Sequence, residues 1–260
     1  MALRAFSYLM IAILMLPMIV IIATSFTELS YVSFPPHGFT LKWYAIALQK
    51  TEFISSFFFS LSVGLATAAV STAVGCLIAV ALTRFEFPGR ALFDAFFMSP
   101  LILPTIVIGI ALLQYINQLG LGVSLPVLIL SHVIITTPYA IRLVTASLIG
   151  IDSAIERAAR NLGAPPLRAF IEVVVPLIAP GLMASAVFTF ITSFDNVTIS
   201  VFLSSPQNVT LPVRIFNLWD HPIEPWLISI CAIVIVLTAL LIAVVERTIG
   251  IGGAFDRAHR

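Results

Sequence analysis

Charge is what this sequence has least of. Only 10% of its 260 residues are Asp, Glu, Lys or Arg, they sum to a net charge of +1, and lysine occurs only at Lys42 and Lys50. Such a chain carries no electrostatic footprint for nucleic acid, whose recognition starts from clustered basic side chains. Cysteine is equally sparse. Cys76 and Cys231 lie inside apolar runs, without metal-ligand spacing or a paired framework, as ordinary buried thiols do. The histidines His37, His132, His221 and His259 are scattered, which leaves no clustered ligand set for a catalytic metal. There is also no G-x-x-x-x-G-K followed by Ser or Thr to cradle phosphates, so ATP hydrolysis is not a property of this chain alone.

What fills the sequence instead is apolar. Hydrophobic residues make up 60% of it and its mean hydropathy is +1.11, so its solvent is largely lipid. Crossing about 30 Å of hydrocarbon at about 1.5 Å per residue takes about 20 apolar residues. Six runs meet that requirement, at residues 5–27, 54–83, 92–116, 125–148, 177–204 and 226–246. The first is longer than a signal peptide and lacks its small-residue cleavage pattern, so it reads as a retained span. The expected fold is all-α: a polytopic membrane protein with six transmembrane helices in a single domain over residues 1–260.

The basic residues orient it. An inner N-terminus puts Arg4, Arg84, Arg90, Arg142, Arg157, Arg160, Arg168, Arg247, Arg257 and Arg260 on or near the cytoplasmic side and leaves Lys42, Lys50 and Arg214 outside. Because Lys and Arg flanking spans are retained inside, both termini are expected in the cytoplasm.

Most connections are short turns or external segments. The segment between runs one and two carries Phe34-Pro35-Pro36-His37-Gly38, then Trp43 and Tyr44 in a short amphipathic stretch. The one between runs five and six carries Ser205-Pro206 and Trp219-Asp220-His221-Pro222. The inner segment 152–176 differs from all of these, with three arginines and three acids close together. Ser153 and Glu156 have the spacing of a helix capping box, and Gly163 supplies a C-terminal position after Leu162. Ala164-Pro165-Pro166 then breaks and restarts the chain. Leu167, Phe170, Ile171 and Val174 follow at helical spacing on one apolar face, opposite Arg168 and Glu172. A helix pair joined by a glycine elbow is expected here. By pattern alone it suits a lipid surface, a cap over its own bundle, or a plug for a soluble partner's groove.

The order of its residues is more specific than its pattern. Arg157-Ala158-Ala159, Gly163 four residues after Ala159, then Val173-Val174-Val175-Pro176 and Pro180-Gly181 resemble the coupling signature of bacterial ABC importer permeases. In that family the signature reads Glu-Ala-Ala, three residues, Gly, nine residues, Ile-x-Leu-Pro. The usual glutamate falls here on Arg157, with an acid one position earlier at Glu156. Phe34-Pro35-Pro36-His37-Gly38, Arg84-Phe85 with Pro88-Gly89-Arg90, Ser193-Phe194-Asp195 and Leu203-Ser204-Ser205-Pro206 with Leu211-Pro212-Val213-Arg214 extend the likeness over nearly the whole chain. They are similar to the second permease of spermidine/putrescine-type importers.

The resemblance implies a transport subunit in a bacterial inner (plasma) membrane, with no catalytic residues and no bound cofactor or metal. ATP and Mg would sit on two partner ATPase subunits, and a second permease, of a different chain, would complete the membrane domain. A periplasmic or extracellular solute-binding protein would dock on the outer loops. The coupling residues it implies are Glu156, Arg157, Ala158, Ala159, Leu162, Gly163, Phe170 and Pro176. Ala158, Ala159 and Gly163 would permit close approach, and Leu162 and Phe170 would anchor it. Candidates for the substrate path are Asp195, Asn196, Thr198 and Tyr115, because polar and ionisable groups in a span mark an interior or wet route. Gln114 and Asn117 lie beside them; Asp94 reads as a cap for run three, and Arg142 as a snorkelling topology residue. Pro100, Pro104 and Pro138 invite kinks. A polyamine-like, amine or amino-acid-like solute fits this set, and the rival reading is a secondary transporter or channel. That rival would call for coupling-ion acids or a long inverted repeat, and neither is evident.

Overall fold

The computed structural model describes residues 2–205, 208–218, 220 and 222–249. Pro206, Trp219, His221, Arg257, His259 and Arg260 lie outside the described residues. The described chain runs through α1 (Ala2–Thr24), α2 (Lys42–Ala47), α3 (Thr51–Arg84), α4 (Arg90–Ile102), α5 (Thr105–Gln118) and α6 (Leu125–Ile149). It continues through α7 (Ser153–Asn161), α8 (Pro166–Ala169), a π turn (Phe170–Val174), α9 (Val175–Leu177), α10 (Ala179–Phe194), α11 (Thr198–Phe202), α12 (Leu211–Phe216) and α13 (Pro225–Ile249). Among the described residues four helices are long and apolar enough to cross a membrane: Arg4–Thr24, Thr51–Arg84, Leu125–Ile149 and Pro225–Arg247. Six crossings result if two bent pairs each count as one.

Those pairs stand where single runs over 92–116 and 177–204 are expected, with kinks invited by Pro100 and Pro104 in the first. In the first, α4 and α5 meet at 103°. Leu103 precedes Pro104 and adopts an extended conformation at φ −78° and ψ 138°, because the proline ring crowds a helical predecessor. Pro104 has no N–H to continue the ladder and starts α5 afresh. Pro100, by contrast, stays inside α4, and Pro138 inside an unbroken α6. In the second pair the helix bends by 72° at Ile178, and α10 then ends at Phe194, ahead of a separate α11. Asp94 does not cap run three either: the helix starts at Arg90 after Gly89, so Asp94 sits a full turn inside it.

The chain divides into two compact units, each considered by itself. One comprises Met1–Phe57 and Val213–Val244. Its polar ties join the connections to each other and to the start of α3: the Trp43 indole donates to the Thr27 carbonyl at 2.8 Å, and Arg214 Nε donates to Ser56 Oγ at 2.6 Å while its Nη1 lies 3.1 Å from Glu52. Lys50 lies over the Trp226 ring. None of the apolar window on α1 is buried, whereas Thr24 at its end is.

The other unit is Phe58–Pro212 with Val245–Arg260. Its helices come together through small residues. A Cβ added to Gly75 would stand 2.5 Å from that of Ala140, and one added to Gly181 2.4 Å from that of Ser147, so only glycine admits these approaches. Close backbone approach replaces the hydrophobic drive that lipid cannot supply. Among the described residues of this unit two apolar cores are built this way. One joins Ala79, Leu82, Met98, Ile141, Val144, Val174 and Ile178 at the end of α6 that leads into α7. The second joins Val63, Ile108, Leu128, Ile135, Ile199 and Leu203 toward the opposite end.

Candidate functional site

Residues 152–178 form an elbow whose bend is dictated by local chemistry. Asp152, not Ser153, caps α7, its Oδ1 accepting the Ala154 N–H at 2.8 Å. Ser153 is the first helical residue and takes a hydrogen bond from Arg157 Nη1. The capping box expected of Ser153 and Glu156 is therefore absent. An aspartate one position earlier is the better cap, since its carboxylate also meets the positive end of the helix. At the other end Gly163 N–H bonds the Arg160 carbonyl at 3.0 Å and Ala164 N–H bonds that of Ala159 at 3.2 Å, a Schellman closure around Gly163 at φ +96°. The glycine placed here by sequence is the residue this closure needs.

The second arm differs from expectation in register. Leu167, Phe170, Ile171 and Val174 share a face only in an unbroken α-helix, but Phe170–Val174 is a π turn. The Val175 N–H reaches the Phe170 carbonyl five residues back. Pro176 follows with no N–H and a ring that crowds the carbonyl four residues before it, and widening the turn relieves that crowding. The extra residue splits the face. Ala169, Val174 and Ile178 go inward, fully buried, and Phe170 packs half-buried on the core beneath. Leu167 and Ile171 turn outward at 70% and 54% exposure, beside the Arg168–Glu172 pair at 2.9 Å. That surface pair contributes little to stability, on the order of 0–1 kcal/mol.

Two properties follow. The outer face carries Ile155, Leu162, Leu167 and Ile171, and Leu162 is 91% exposed at the tip of the elbow. No residue of α7 is buried. The inner face, through Val174 and Ile178, belongs to the same core as Ala79 of α3, Met98 of α4 and Ile141 of α6. A push on the elbow is thus received by three helices. Of the coupling residues expected from sequence, Glu156, Arg157, Ala158, Ala159, Leu162 and Gly163 lie on or just after α7; Pro176 sits exposed in α9 and Phe170 faces inward.

The polar patch expected on run five lies at the far end of α10, 16 residues and about 24 Å from Ala179. Asp195 is exposed at the helix C-cap rather than within a helix. The Asn196 side-chain oxygen is engaged, accepting the Ile199 N–H at 2.8 Å, and Thr198 opens α11. Tyr115, 60% exposed on α5, has no hydrogen bond or ring contact with these three among the described residues.

Sequence reading passed over the residue that organises this patch. His132 of α6 is fully buried, with Nδ1 2.7 Å from Ser193 Oγ and Nε2 3.1 Å from Ser200 Oγ. It clasps both sides of the break carrying Asp195 and Asn196. A signal was available, since an ionisable residue inside an apolar run marks a functional position by default. Ser71 Oγ bonds Thr136 Oγ1 at 2.7 Å and Thr72 Oγ1 bonds Ser185 Oγ at 3.2 Å, extending the polar seam between α3, α6 and α10. His132→Leu should lower the stability of the purified protein by about 1–3 kcal/mol, the cost of stranding buried hydroxyls. A thermal melt within error of the parent would remove the clasp.

The whole elbow, α10, α11 and the His132 seam fall within residues 71–250, which match a family model described as "Binding-protein-dependent transport system inner membrane component". Over 231 residues the chain is 29% identical to the spermidine/putrescine transport system permease protein PotC of Escherichia coli (strain K12), covering 89% of this chain and 87% of that one. It is 27% identical over 226 residues to the putrescine transport system permease protein PotI of the same strain, covering 84% and 80%. Among solved structures, that of a bacterial ABC transporter involved in the import of the acidic polysaccharide alginate superposes with a TM-score of 0.75, covering 95% of this chain and 93% of that one. Identity there is 13%, so the likeness is one of fold. Helices throughout the described residues, an exposed elbow and a family match over well over half its length leave one conclusion: the chain belongs to the binding-protein-dependent transport system inner membrane components, as a multi-pass permease subunit of an ABC importer and not an enzyme.

Proposed function

We propose that this permease moves a small organic solute, polyamine-like or another amine or amino-acid-like solute, inward by alternating access. It does so as one half of a membrane domain whose other half is a second permease of a different chain. Residues 1–260 act as a single transport domain, with both termini in the cytoplasm, as the ten-to-three distribution of basic residues favours. Two ATPase subunits hold ATP and Mg and close around the elbow at 152–176. A binding protein delivers solute from outside.

The exposure of Leu162 carries this reading. An apolar side chain held almost wholly in solvent at the tip of a hydrogen-bonded elbow is poorly placed for the chain's own stability and well placed as an anchor for a partner's groove. Glu156 and Arg157, on the helix that leads to it, carry charges that set orientation more than affinity. Ala158 and Ala159 keep the face shallow. Inward, Val174 and Ile178 pass movement of the elbow to α3, α4 and α6. At the other end Asp195 supplies the negative charge a solute amine seeks, and the relatives whose names specify polyamines favour that class. Asn196, Thr198 and Tyr115 complete the proposed path.

A photo-crosslinking residue placed at Leu162 in the assembled complex tests the docking. It should join this chain to an ATPase subunit, whereas the same residue at Leu14, 75% exposed on α1, should not. Capture of lipid or of the chain itself from position 162 would overturn the assignment.

A further inference from the structure

A cavity of about 520 Å³ opens between α3, α4 and α6, at the end of the bundle that carries the elbow but apart from it. Arg90 and Asp94 reach it from α4, Arg142 and Thr145 from α6, and Thr83 from α3. Two ion pairs occur among the described residues, Arg168–Glu172 and Arg214–Glu52, so both cavity arginines and Asp94 are without one. Arg90 and Asp94 stand one turn apart on α4, a spacing at which exposed charges commonly pair. Here they line a common space instead.

We propose that this cavity binds the phosphate of an anionic phospholipid headgroup, gripped by Arg90 and Arg142. Charge selects the ligand: two guanidinium groups against one carboxylate repel an amine solute and attract a phosphate, which arginine donors fit well. Position selects a lipid over a free anion. Arg142 lies seven residues before the end of α6, about 10 Å from it, at the depth where long basic side chains reach headgroups. Leu82 and Ile141 form apolar wall, and Ile149 stands 75% exposed at the rim, which accommodates the first methylenes of a tail. Basic pockets between transmembrane helices on the cytoplasmic side hold acidic headgroups in this manner. Asp94 tempers the grip, opposing a phosphate that comes near both arginines. The site depends on the chain's place in a membrane and not on the ATPase docking or substrate readings above.

Native mass spectrometry of the assembled complex, with phosphatidylglycerol or phosphatidylcholine added back after delipidation, tests this. Wild type should retain phosphatidylglycerol over phosphatidylcholine, and the double substitution Arg90→Gln with Arg142→Gln should reduce that retention by tenfold or more, at roughly fivefold per basic residue. Asp94→Asn should increase it by a few fold, a gain that misfolding does not produce. Arg4→Gln, on α1, should leave it unchanged. Millimolar inorganic phosphate should not displace the lipid. Equal retention of the two lipids by wild type, full retention by the double variant, no gain with Asp94→Asn, an Arg4→Gln loss matching the double variant's, or displacement by inorganic phosphate would each overturn the proposal.

Discussion

Gly163→Asp should abolish solute uptake while leaving the protein inserted in the membrane. The reason lies less in the backbone than in what the new side chain meets. At φ +96° any L-residue is strained, by about 1–2 kcal/mol, and aspartate tolerates that region better than most. A Cβ at this position meets nothing within 4 Å, so the fold has room for it. The carboxylate would instead project from the elbow beside Leu162, into the surface proposed to seat on the ATPase. An unpaired charge buried at such a seat costs about 3–5 kcal/mol, or about 150-fold to several thousandfold in association. Transport and solute-stimulated ATPase activity of the reconstituted complex should both fall to background, with membrane yield unchanged. Gly163→Ala, which adds the strain without the charge, should retain partial activity. Normal uptake by the aspartate variant would sink the coupling assignment.

Asp195→Asn carries the second-largest expected effect, a rise of about tenfold in KM for a cationic solute. Hydrogen bonds to charged groups contribute about 1.5–3 kcal/mol, against about 1 kcal/mol for neutral pairs. Asparagine keeps the shape at the α10 terminus while removing the charge, and Asp195 is exposed there, so stability should hold. The change should appear in KM with the maximal rate nearly unaltered, because the elbow and the core that receives its movement lie at the opposite end of α10. Unchanged kinetics in proteoliposomes supplied with binding protein and a polyamine would return Asp195 to a structural role.

Patterns that depend on one residue type at one place were legible in the sequence. Gly163 closes its helix as expected because the left-handed position admits few alternatives, and the long apolar runs at Thr51–Arg84 and Leu125–Ile149 became helices because lipid permits little else. Features that depend on competition between neighbours were not. Asp152 and Ser153 are both acceptable caps, and geometry alone chose the aspartate. Pro100, Pro104 and Pro138 look alike in a run of letters, yet only the one at Leu103–Pro104 became a 103° break. His132 carries a local mark, an ionisable side chain inside an apolar run, but its pairing does not, because its partners Ser193 and Ser200 are remote in sequence and ordinary in type. Long-range pairing of common residues leaves no local mark.

The π turn at Phe170–Val174 also bears on how this chain compares with its kin. A helix wound with one residue more than its neighbours occupies the same length but shifts the compass of everything on one side of the insertion. Position-by-position alignment across this stretch would place Leu167 and Ile171 beside residues that point elsewhere in any relative lacking the wide turn. The surface shown to a partner is therefore a matter of winding as much as of spelling.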